Sequence, residues 1–437
     1  MAKLAKYDVG TNFDQKLFDI IKDADKNNRI KNVYGKLRAD GLPGGRNTAT
    51  IPDLTDDQFA QYIKDCIANN VTFNYLINPL CMGQSEIDPE QGKNIRDTIH
   101  RMYDIGVRYF TINSPSLIKY VKKEFSDVQV TLGLYAYPVT IQQVEYWRNW
   151  GVDEITLDHS FNRNFELLRK LMLNYKDTDF AMRVIANNFC LKECPYRLTH
   201  GSFVGHADPE KLSMDYSLIN CTYRKVSNPK AMLTSEWIRP EDVHYYDELM
   251  EETGYKNFSL KLVDRIRSTE FLENVIRAYC GESYDGNLLD IINWPTGKNV
   301  KMPAGNMPPV GGPPASMPSG MPPVGGPPAG LPPMRHAEKM NPAYLAKYGR
   351  TMAFPKMYID NKKLDGFFEH FVKNNNCANS VCAGTMVEDG KNCSYACNHC
   401  GVWAEKAISF NKEEVEQWKA VASEMISDIE KGSMYIK

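Results

Sequence analysis

Residues 71–78 read VTFNYLIN, an apolar and β-rich run that is followed by GKNIRDTIHRMYDIG (92–106) and then by VRYFTINS (107–114). The first and last of these segments have the near-continuous apolar character of strands in a parallel sheet covered by helices. The middle segment has helical period. This strand–helix–strand unit recurs along the chain and decides the fold class.

Eight such runs predict eight strands, and most are separated by amphipathic helical segments such as DDQFAQYIKDCIANN (56–70). Eight alternations over about 240 residues match the size of a TIM-like (β/α)8 barrel. An open doubly wound sheet is the alternative, but no GxGxxG follows a strand to support it. The predicted strands are 30–37, 71–78, 107–114, 128–136, 153–160, 180–188, 231–238 and 257–264.

Composition narrows the class of protein. The 437 residues carry 52 basic and 54 acidic side chains, a formal net charge of −2. Such balance does not suggest a nucleic-acid surface, although a local basic groove is not excluded. The sequence has neither a long apolar run nor a signal-peptide pattern, so we expect a cytoplasmic protein with no membrane partner and a small-molecule or peptide substrate.

The domain organisation follows from shifts in composition. We predict an N-terminal extension (1–27), the barrel (28–300), a Pro/Gly-rich linker (301–336) and a cysteine-rich module with a C-terminal helix (337–437). The linker contains MPPVGGPPA twice and has no apolar period, so we expect a disordered tether. Docking of a partner on this proline-rich segment is the alternative.

Polar residues collect toward the ends of several predicted strands, where the chemistry of such barrels lies. We expect them to converge at one end of the barrel. They are Asn74, Asn78, Asn113, His159, Asn187, Asn188, Glu236, Lys261, Asp264 and Arg265.

The eleven cysteines are unevenly spread. Cys66 and Cys280 lie alone in helical patterns and are predicted to be buried and structural. Clustered cysteines in a cytosolic protein indicate metal or catalysis rather than disulfides. Four thiols on separate barrel loops are the complement of a 4Fe–4S cluster, and zinc is the competing metal. These four are Cys81, Cys190, Cys194 and Cys221.

Catalytic candidates lie near this first cysteine group. We expect Arg197, Arg239 and Arg265 to bind an anionic co-substrate, and Glu236 to belong to the same site. His200 could transfer protons, or it could donate a hydrogen bond to a cluster sulfur.

A second cysteine group includes NCSYACNHC (392–400), whose C-x3-C-x2-C spacing is that of radical-SAM enzymes. Only one predicted helix follows it, so the strands that would hold SAM are missing. We therefore predict a second 4Fe–4S cluster, or zinc, for electron transfer or structure. The candidate ligands are Cys377, Cys382, Cys393, Cys397 and Cys400, with Cys393 as the spare.

The runs NNFCLKECPYRLTH (187–200), SEWIRPEDVHYY (235–246) and GYKNFSLKLVDR (254–265) resemble the U-32 peptidase family. YGKLRADGLPGGR (34–46) and YIDNKKLDGFFEHF (358–371) look like an anaerobic-bacterial branch of it. The resemblance implies a TIM-like barrel with a 4Fe–4S cluster, for which Cys190 and Cys194 match the family loop directly. Cys221 matches more loosely, and Cys81 is like the early ligand of some members.

The resemblance also implies a function. Several members are oxygen-independent hydroxylases of tRNA, ribosomal RNA or ubiquinone precursors, with prephenate as the oxygen source, and others are called peptidases. We therefore expect an iron–sulfur redox enzyme, served by an electron-donor protein. A peptidase is one alternative, although the chain has neither HExxH nor GxSxG. A non-catalytic iron–sulfur binding or assembly protein is the other.

Overall fold

The structure is a computed structural model. The predicted linker lies outside the residues it describes, and so do Cys377 and Cys393. Across the described helices, none is both long enough and apolar enough to cross a bilayer. The described residues are 3–38, 40–46, 51–206, 215–294, 342–348, 354–374, 381–382 and 396–434.

Eight parallel strands form a closed barrel in which each strand pairs with the next and β8 returns to β1. The predicted TIM-like fold is therefore confirmed. The strands are β1 (Lys6–Gly10), β2 (Ile30–Gly35), β3 (Thr72–Ile77), β4 (Tyr109–Ile112), β5 (Gln129–Leu132), β6 (Glu154–Thr156), β7 (Ala181–Ile185) and β8 (Phe258–Leu262).

Helices surround the barrel and begin at recognisable signals. Asp88 caps the third helix by accepting hydrogen bonds from the backbone of Glu90 and Gln91, and Gly106 ends that helix in the left-handed conformation. The helices are α1 (Lys16–Ala24), α2 (Asp56–Ala68), α3 (Pro89–Ile105), α4 (Pro115–Glu124), α5 (Ile141–Asn149), α6 (Phe165–Tyr175), α7 (Arg197–His206), α8 (Tyr216–Ser227), α9 (Lys230–Thr234), α10 (His244–Thr253) and α11 (Thr269–Gly281).

The start of the barrel differs from the prediction. Residues 1–27, predicted as an extension, contain β1 and α1. The predicted strand 231–238 is wrong, because this run forms α9 and an extended crossing. The extended part of this run contacts the end of β7 through one backbone hydrogen bond, in which the Ile238 amide donates to the carbonyl oxygen of Ala186. Both segments are buried, so the apolar run at 231–238 reflects burial rather than a strand, while the charged residues of KYDVG concealed β1.

Charged side chains fill part of the barrel interior. Arg183 Nη1 lies 3.2 Å from Glu154 Oε2 and 3.8 Å from Asp8 Oδ2. Lys31 also pairs with Glu154, and Ser259 Oγ donates to Asp8 at 2.8 Å. Buried charges of this kind are tolerated only when they are paired.

The C-terminal part adds small paired strands and helices. Strand β9 pairs antiparallel with β12, and β10 pairs parallel with β11. Asn411 caps the last helix, as predicted from the sequence, by accepting from the backbone of Glu413 and Glu414. The elements are α12 (Pro342–Tyr348), β9 (Met357–Ile359), α13 (Glu369–Asn374), β10 (Val381–Cys382), β11 (Ala396–Cys397), α14 (His399–Ala407), β12 (Ile408–Phe410) and α15 (Lys412–Glu430).

This C-terminal part shares one hydrophobic core with the barrel. The guanidinium carbon of Arg163, just before α6, lies 4.6 Å from the ring centre of Trp237 and 4.7 Å from that of Phe371. Helix α15 covers α8 through Ile219 and Met425. The predicted module is therefore docked on the barrel wall.

Candidate active site at the mouth of the barrel

A polar cavity opens at the carboxyl ends of the strands. Its volume is about 70 Å³, room for a few waters or a small organic acid. Its wall contains the guanidinium groups of Arg46 and Arg265 and the amine of Lys261. Asp264 is the acidic residue of the wall, so the cavity favours anions.

Gly45 allows the loop after β2 to approach the cavity closely. A Cβ atom at this position would lie 2.8 Å from the Tyr135 ring and 3.0 Å from the carbonyl oxygen of Asn78. The Gly45 amide donates to Asn78 Oδ1 at 3.2 Å, and its carbonyl accepts from Tyr135 at 3.1 Å. These contacts place Arg46 against Asp264, with 3.1 Å between Nε and Oδ2.

Arg265 presents an incomplete hydrogen-bond set. Its side chain is buried, and Nη1 finds no acceptor among the described residues. Nη2 donates to the carbonyl oxygen of Arg46 at 3.4 Å. An unsatisfied buried guanidinium nitrogen is costly, and a bound carboxylate would complete it.

Lys261 lies on β8 with its Nζ 3.8 Å from the ring centre of Tyr34. The Tyr34 hydroxyl donates to the carbonyl oxygen of Leu262, which fixes the ring. Burial and the positive charges of Arg183 and Arg265 hold the pKa of Lys261 well below its usual value, against the opposing effect of Asp8 and Glu154. A lowered pKa increases the neutral, nucleophilic fraction of an amine.

Cys190, in the loop after β7, lies beside His159. Asn188 Nδ2 is 2.7 Å from His159 Nε2 and donates to Cys190 Sγ at 3.2 Å. Burial disfavours the thiolate, but the hydrogen bond and positive charge of His159, aided by Lys225 and Arg46, lower the pKa of Cys190 to about 7. Cys190 is therefore ready to act as a thiolate.

Two further thiols lie near Cys190. Burial, together with the negative charges of Cys221 and Cys190, raises the pKa of Cys194 to about 11. Cys194 lies in the loop before α7, and Cys221 lies on α8. Three soft ligands thus share one side of the mouth.

Thiols are ligands for both a 4Fe–4S cluster and zinc. Over the ranges that the structure describes, no group of three or more His, Cys, Asp or Glu side chains is arranged around one metal site. A tetrahedral zinc ion needs all its ligands within bonding distance of one point. The thiolates of a 4Fe–4S cluster bind different irons and stand farther apart. The donor type and placement of Cys190, Cys194 and Cys221 are compatible with such a cluster.

The remaining barrel cysteines differ in exposure. Cys81 is exposed in the loop after β3, where its sulfur accepts from the Gly83 amide at 3.3 Å. Cys66 and Cys280 are buried in the core, as predicted. Burial, the largest cause, raises the pKa of Cys280 to about 12, so this thiol is inert at neutral pH.

The predicted catalytic residues do not all meet. Arg265 lines the cavity, and Arg197 pairs with Asp158 at 2.9 Å. His200 Nε2 lies 3.2 Å from Asp215 Oδ2, and burial, with Arg46 and Lys225, lowers the pKa of His200 despite that carboxylate.

Two of the predicted catalytic residues are otherwise engaged. Glu236 pairs with Lys192 at 2.9 Å. Arg239 pairs with Asp242 at 2.8 Å and donates to the carbonyl oxygen of Asn361 at 2.9 Å. Arg239 thus links the barrel to the C-terminal part rather than facing the cavity.

One of the described tail cysteines, Cys397, lies beside a histidine. Cys382 and Cys397 are opposite each other in the β10–β11 pair. Cys397 Sγ lies 3.8 Å from His370 Nε2, and His370 stacks on His399 with 4.1 Å between ring centres. Cys400 is buried, and its thiol donates to the carbonyl oxygen of Leu233 at 3.6 Å. The ligand set of the predicted second cluster or zinc stays a prediction.

Sequence reasoning missed Arg46 and the pairing of His159 with Cys190. Arg46 follows the glycine-rich run GLPGGR, a signal for close backbone approach that could have marked it. His159 follows β6 and Cys190 follows β7, so the parallel pairing of these two strands brings them together.

The fold and site define a TIM-like barrel protein with a polar, arginine-lined cavity at its mouth and cysteines in the loops that follow the strands. No family model matches the chain. The chain is 26% identical over 278 residues to a protein of Methanocaldococcus jannaschii (strain ATCC 43067 / DSM 2661 / JAL-1 / JCM 10045 / NBRC 100440) called "Uncharacterized protease MJ1657". The match covers 61% of this chain and 80% of that protein.

Solved structures give weaker matches. "The Structure of the U32 Peptidase Mk0906" is 15% identical, with a TM-score of 0.42, and the match covers 60% of this chain and 94% of that one. A GH113 β-1,4-mannanase structure is 11% identical, with a TM-score of 0.34, covering 64% and 99%. The chain resembles the U-32 peptidase family, as its sequence indicated.

Proposed function

We propose that the chain is a U-32-type iron–sulfur enzyme that binds a small anionic co-substrate at the mouth of its barrel. One observation carries the proposal: the unsatisfied Arg265 guanidinium and three thiols lie at the same end of the strands. The resemblance to the family directs the choice of reaction, an oxygen-independent hydroxylation or related modification of a peptide or small molecule.

Each group has a role in this proposal. Cys190, Cys194 and Cys221 would hold the cluster with Cys81 as the fourth ligand, and a bound 4Fe–4S cluster supplies one-electron chemistry. Arg265 and Arg46 would orient a carboxylate beside it. The neutral imidazole of His200, held by Asp215, would accept a proton.

Anaerobic purification with iron, sulfide and zinc analysis tests the cluster. We expect about four irons and as many sulfides per chain from the barrel site, or about eight if the tail holds a second cluster. The Cys190→Ser/Cys194→Ser double variant should lose the iron and sulfide that belong to the barrel site. The Cys66→Ala variant is the matched control, because Cys66 is a core thiol. Zinc without sulfide in the wild-type protein would overturn the proposal.

A peptidase is the second candidate, and the placement of Cys190, His159 and Asn188 favours it. A thiolate beside an imidazole that is held by an amide side chain is an arrangement used in nucleophilic catalysis. In this role Cys190 would attack a peptide carbonyl and His159 would protonate the leaving amine.

The two candidates separate in one experiment. His159→Gln should abolish peptide cleavage if Cys190 is a nucleophile, and the iron content should stay near that of the wild type. Cleavage that persists in the Cys190→Ser/Cys194→Ser variant would exclude Cys190 as that nucleophile. Cleavage absent from the iron-loaded wild-type protein would remove the peptidase candidate.

A further inference from the structure

Lys36, Lys225 and Lys261 are the buried lysines among the described residues. Lys36 pairs with Asp40, and Lys225 donates to the carbonyl oxygen of Phe189. Lys261 has no ion pair with any carboxylate of the described residues, and its Nζ instead faces the Tyr34 ring. Burial of a protonated amine without a counter-charge costs free energy. The position of Lys261 in a cavity wall therefore indicates a functional role.

The groups around Lys261 favour its neutral form. Arg183 faces it from β7 and Arg265 follows it on the chain, while Asp8 on β1 and Glu154 on β6 are occupied by Arg183. Burial and the two guanidinium groups lower the pKa of Lys261, and the two carboxylates oppose them. The lowered pKa increases the fraction of Lys261 that is a neutral amine, the form that attacks carbonyl carbons.

The same cavity provides cations for a carboxylate. Arg265 Nη1 needs an acceptor, and Arg46 lies across the mouth at Asp264. A molecule with a carboxylate next to a carbonyl would therefore present its two groups to the guanidinium and the amine in one small cavity. Simple 2-oxo acids have this chemistry.

We propose that Lys261 forms an imine with the carbonyl carbon of a small 2-oxo acid whose carboxylate binds Arg265. The amine nitrogen bonds to the carbonyl carbon, and the carbonyl oxygen leaves with the two amine hydrogens as water. Neither oxidant nor reductant is consumed. The inference rests on the anion site of the proposed function and names its substrate class.

Borohydride trapping with pyruvate tests the imine on the full-length, anaerobically purified protein. Hydride reduction converts the imine into a stable carboxyethyl-lysine, and peptide mass mapping locates it. Labelling at Lys261 is measured relative to the exposed Lys93, which reports intrinsic lysine reactivity. We expect Lys261 to exceed Lys93 with pyruvate and to lose most of that excess with acetone, which lacks the carboxylate.

Three variants sharpen the test. Lys261→Arg should remove the label, and Arg265→Met should reduce it about tenfold or more, because a charge-assisted hydrogen bond is lost. Lys192→Arg is the matched control and should label as the wild type does. Equal labelling of Lys261 and Lys93, or an unchanged label in Arg265→Met, overturns the inference.

The outcome is independent of the cluster. Because the imine requires no metal, labelling is measured on iron-loaded protein and on protein treated with a chelator. A labelled Lys261 in untreated protein that contains no iron after anaerobic purification would defeat the proposed cluster and keep the imine. An unlabelled Lys261 in a folded, iron-loaded protein would defeat the imine alone.

Discussion

The Arg46 guanidinium and the Asp264 carboxylate lie 3.1 Å apart and join the loop after β2 to the end of β8. Burial favours the protonated carboxyl, but Arg46, Arg267 and Arg265 outweigh it and lower the pKa of Asp264. Asp264 is thus an anion that engages Arg46 while Arg265 keeps a free donor.

Replacing Arg46 by Met should weaken anion binding. The released Asp264 would compete for Arg265, and the cavity would lose one positive charge. We expect the affinity for pyruvate to fall about tenfold or more, measured by titration calorimetry. Arg277→Met is the control, because Arg277 pairs with Asp23 on the surface. Equal affinities of Arg46→Met and the wild type would contradict the assignment of the cavity.

The approach of β1 to the Arg265 backbone allows a second prediction. A Cβ atom at Gly10 would lie 2.8 Å from the Arg265 amide nitrogen and 3.2 Å from the carbonyl carbon of Asp264. Gly10→Ala should therefore destabilise the protein by about 1–3 kcal/mol and displace Arg265, with weaker pyruvate binding. Denaturant unfolding and calorimetry measure the two effects.

Gly281→Ala provides the comparison for Gly10→Ala, since a Cβ there meets no atom within 4 Å. It should leave binding unchanged and the free energy of unfolding unchanged or slightly higher. Wild-type binding in Gly10→Ala would show that Arg265 does not hold the anion.

We expect Arg239 to contribute to the stability of the fold rather than to the anion site. In Arg239→Met, Asp242 is left as a buried carboxylate, and the bond to the Asn361 carbonyl is lost. We expect the free energy of unfolding to fall by about 3–5 kcal/mol. Hydrogen exchange in residues 354–374 should accelerate, since their link to the barrel is loosened.

Arg169→Met is the matched control for Arg239→Met. Arg169 pairs with Glu252 at 2.6 Å on the surface, and such pairs contribute about 0–1 kcal/mol. If Arg239→Met lost pyruvate binding and kept its stability, Arg239 would belong to the anion site after all.

The buried network of Glu154 predicts acid sensitivity. Burial raises the pKa of Glu154, but Lys31 and Arg183 more than compensate and lower it to about 2. A carboxylate with a lowered folded-state pKa stabilises the protein above its unfolded value of 4.5, and this contribution disappears as the pH falls toward 2.

Glu154→Gln removes that pH dependence. At neutral pH it should cost about 3–5 kcal/mol, because Lys31 and Arg183 lose their partner. Between pH 4.5 and 2 its free energy of unfolding should fall less steeply than that of the wild type, measured by urea titrations. Glu166→Gln, which removes an exposed partner of Lys170, is the control and should keep the wild-type slope.

The sequence predicts most of the barrel because seven strands are apolar runs separated by helical periods. It misses β1, since KYDVG is short and its Asp8 is buried through ion pairs that a linear pattern does not show. It misassigns 231–238 because any buried segment is apolar, whether it is strand, helix or crossing.

The sequence predicts only those residues of the site whose place follows from their position along the chain. Lys261 lies near the end of β8, Arg265 and Asn188 follow strands, and position along the chain places all three at the mouth. The contact of His159 with Cys190 and the position of Arg239 under Asn361 depend on which elements become neighbours. Those contacts follow from the pairing of β6 with β7 and from docking of the C-terminal part rather than from local patterns.

The covering of α8 by α15 has a consequence for biosynthesis. Ile219 on α8 is buried only when Met425 and Met434 pack against it, and Tyr216 reaches Glu430 at 2.8 Å. During translation, Met425, Glu430 and Met434 are synthesised well after Cys221. Helix α8, which carries Cys221, therefore stays uncovered in the nascent chain until α15 has left the ribosomal exit tunnel.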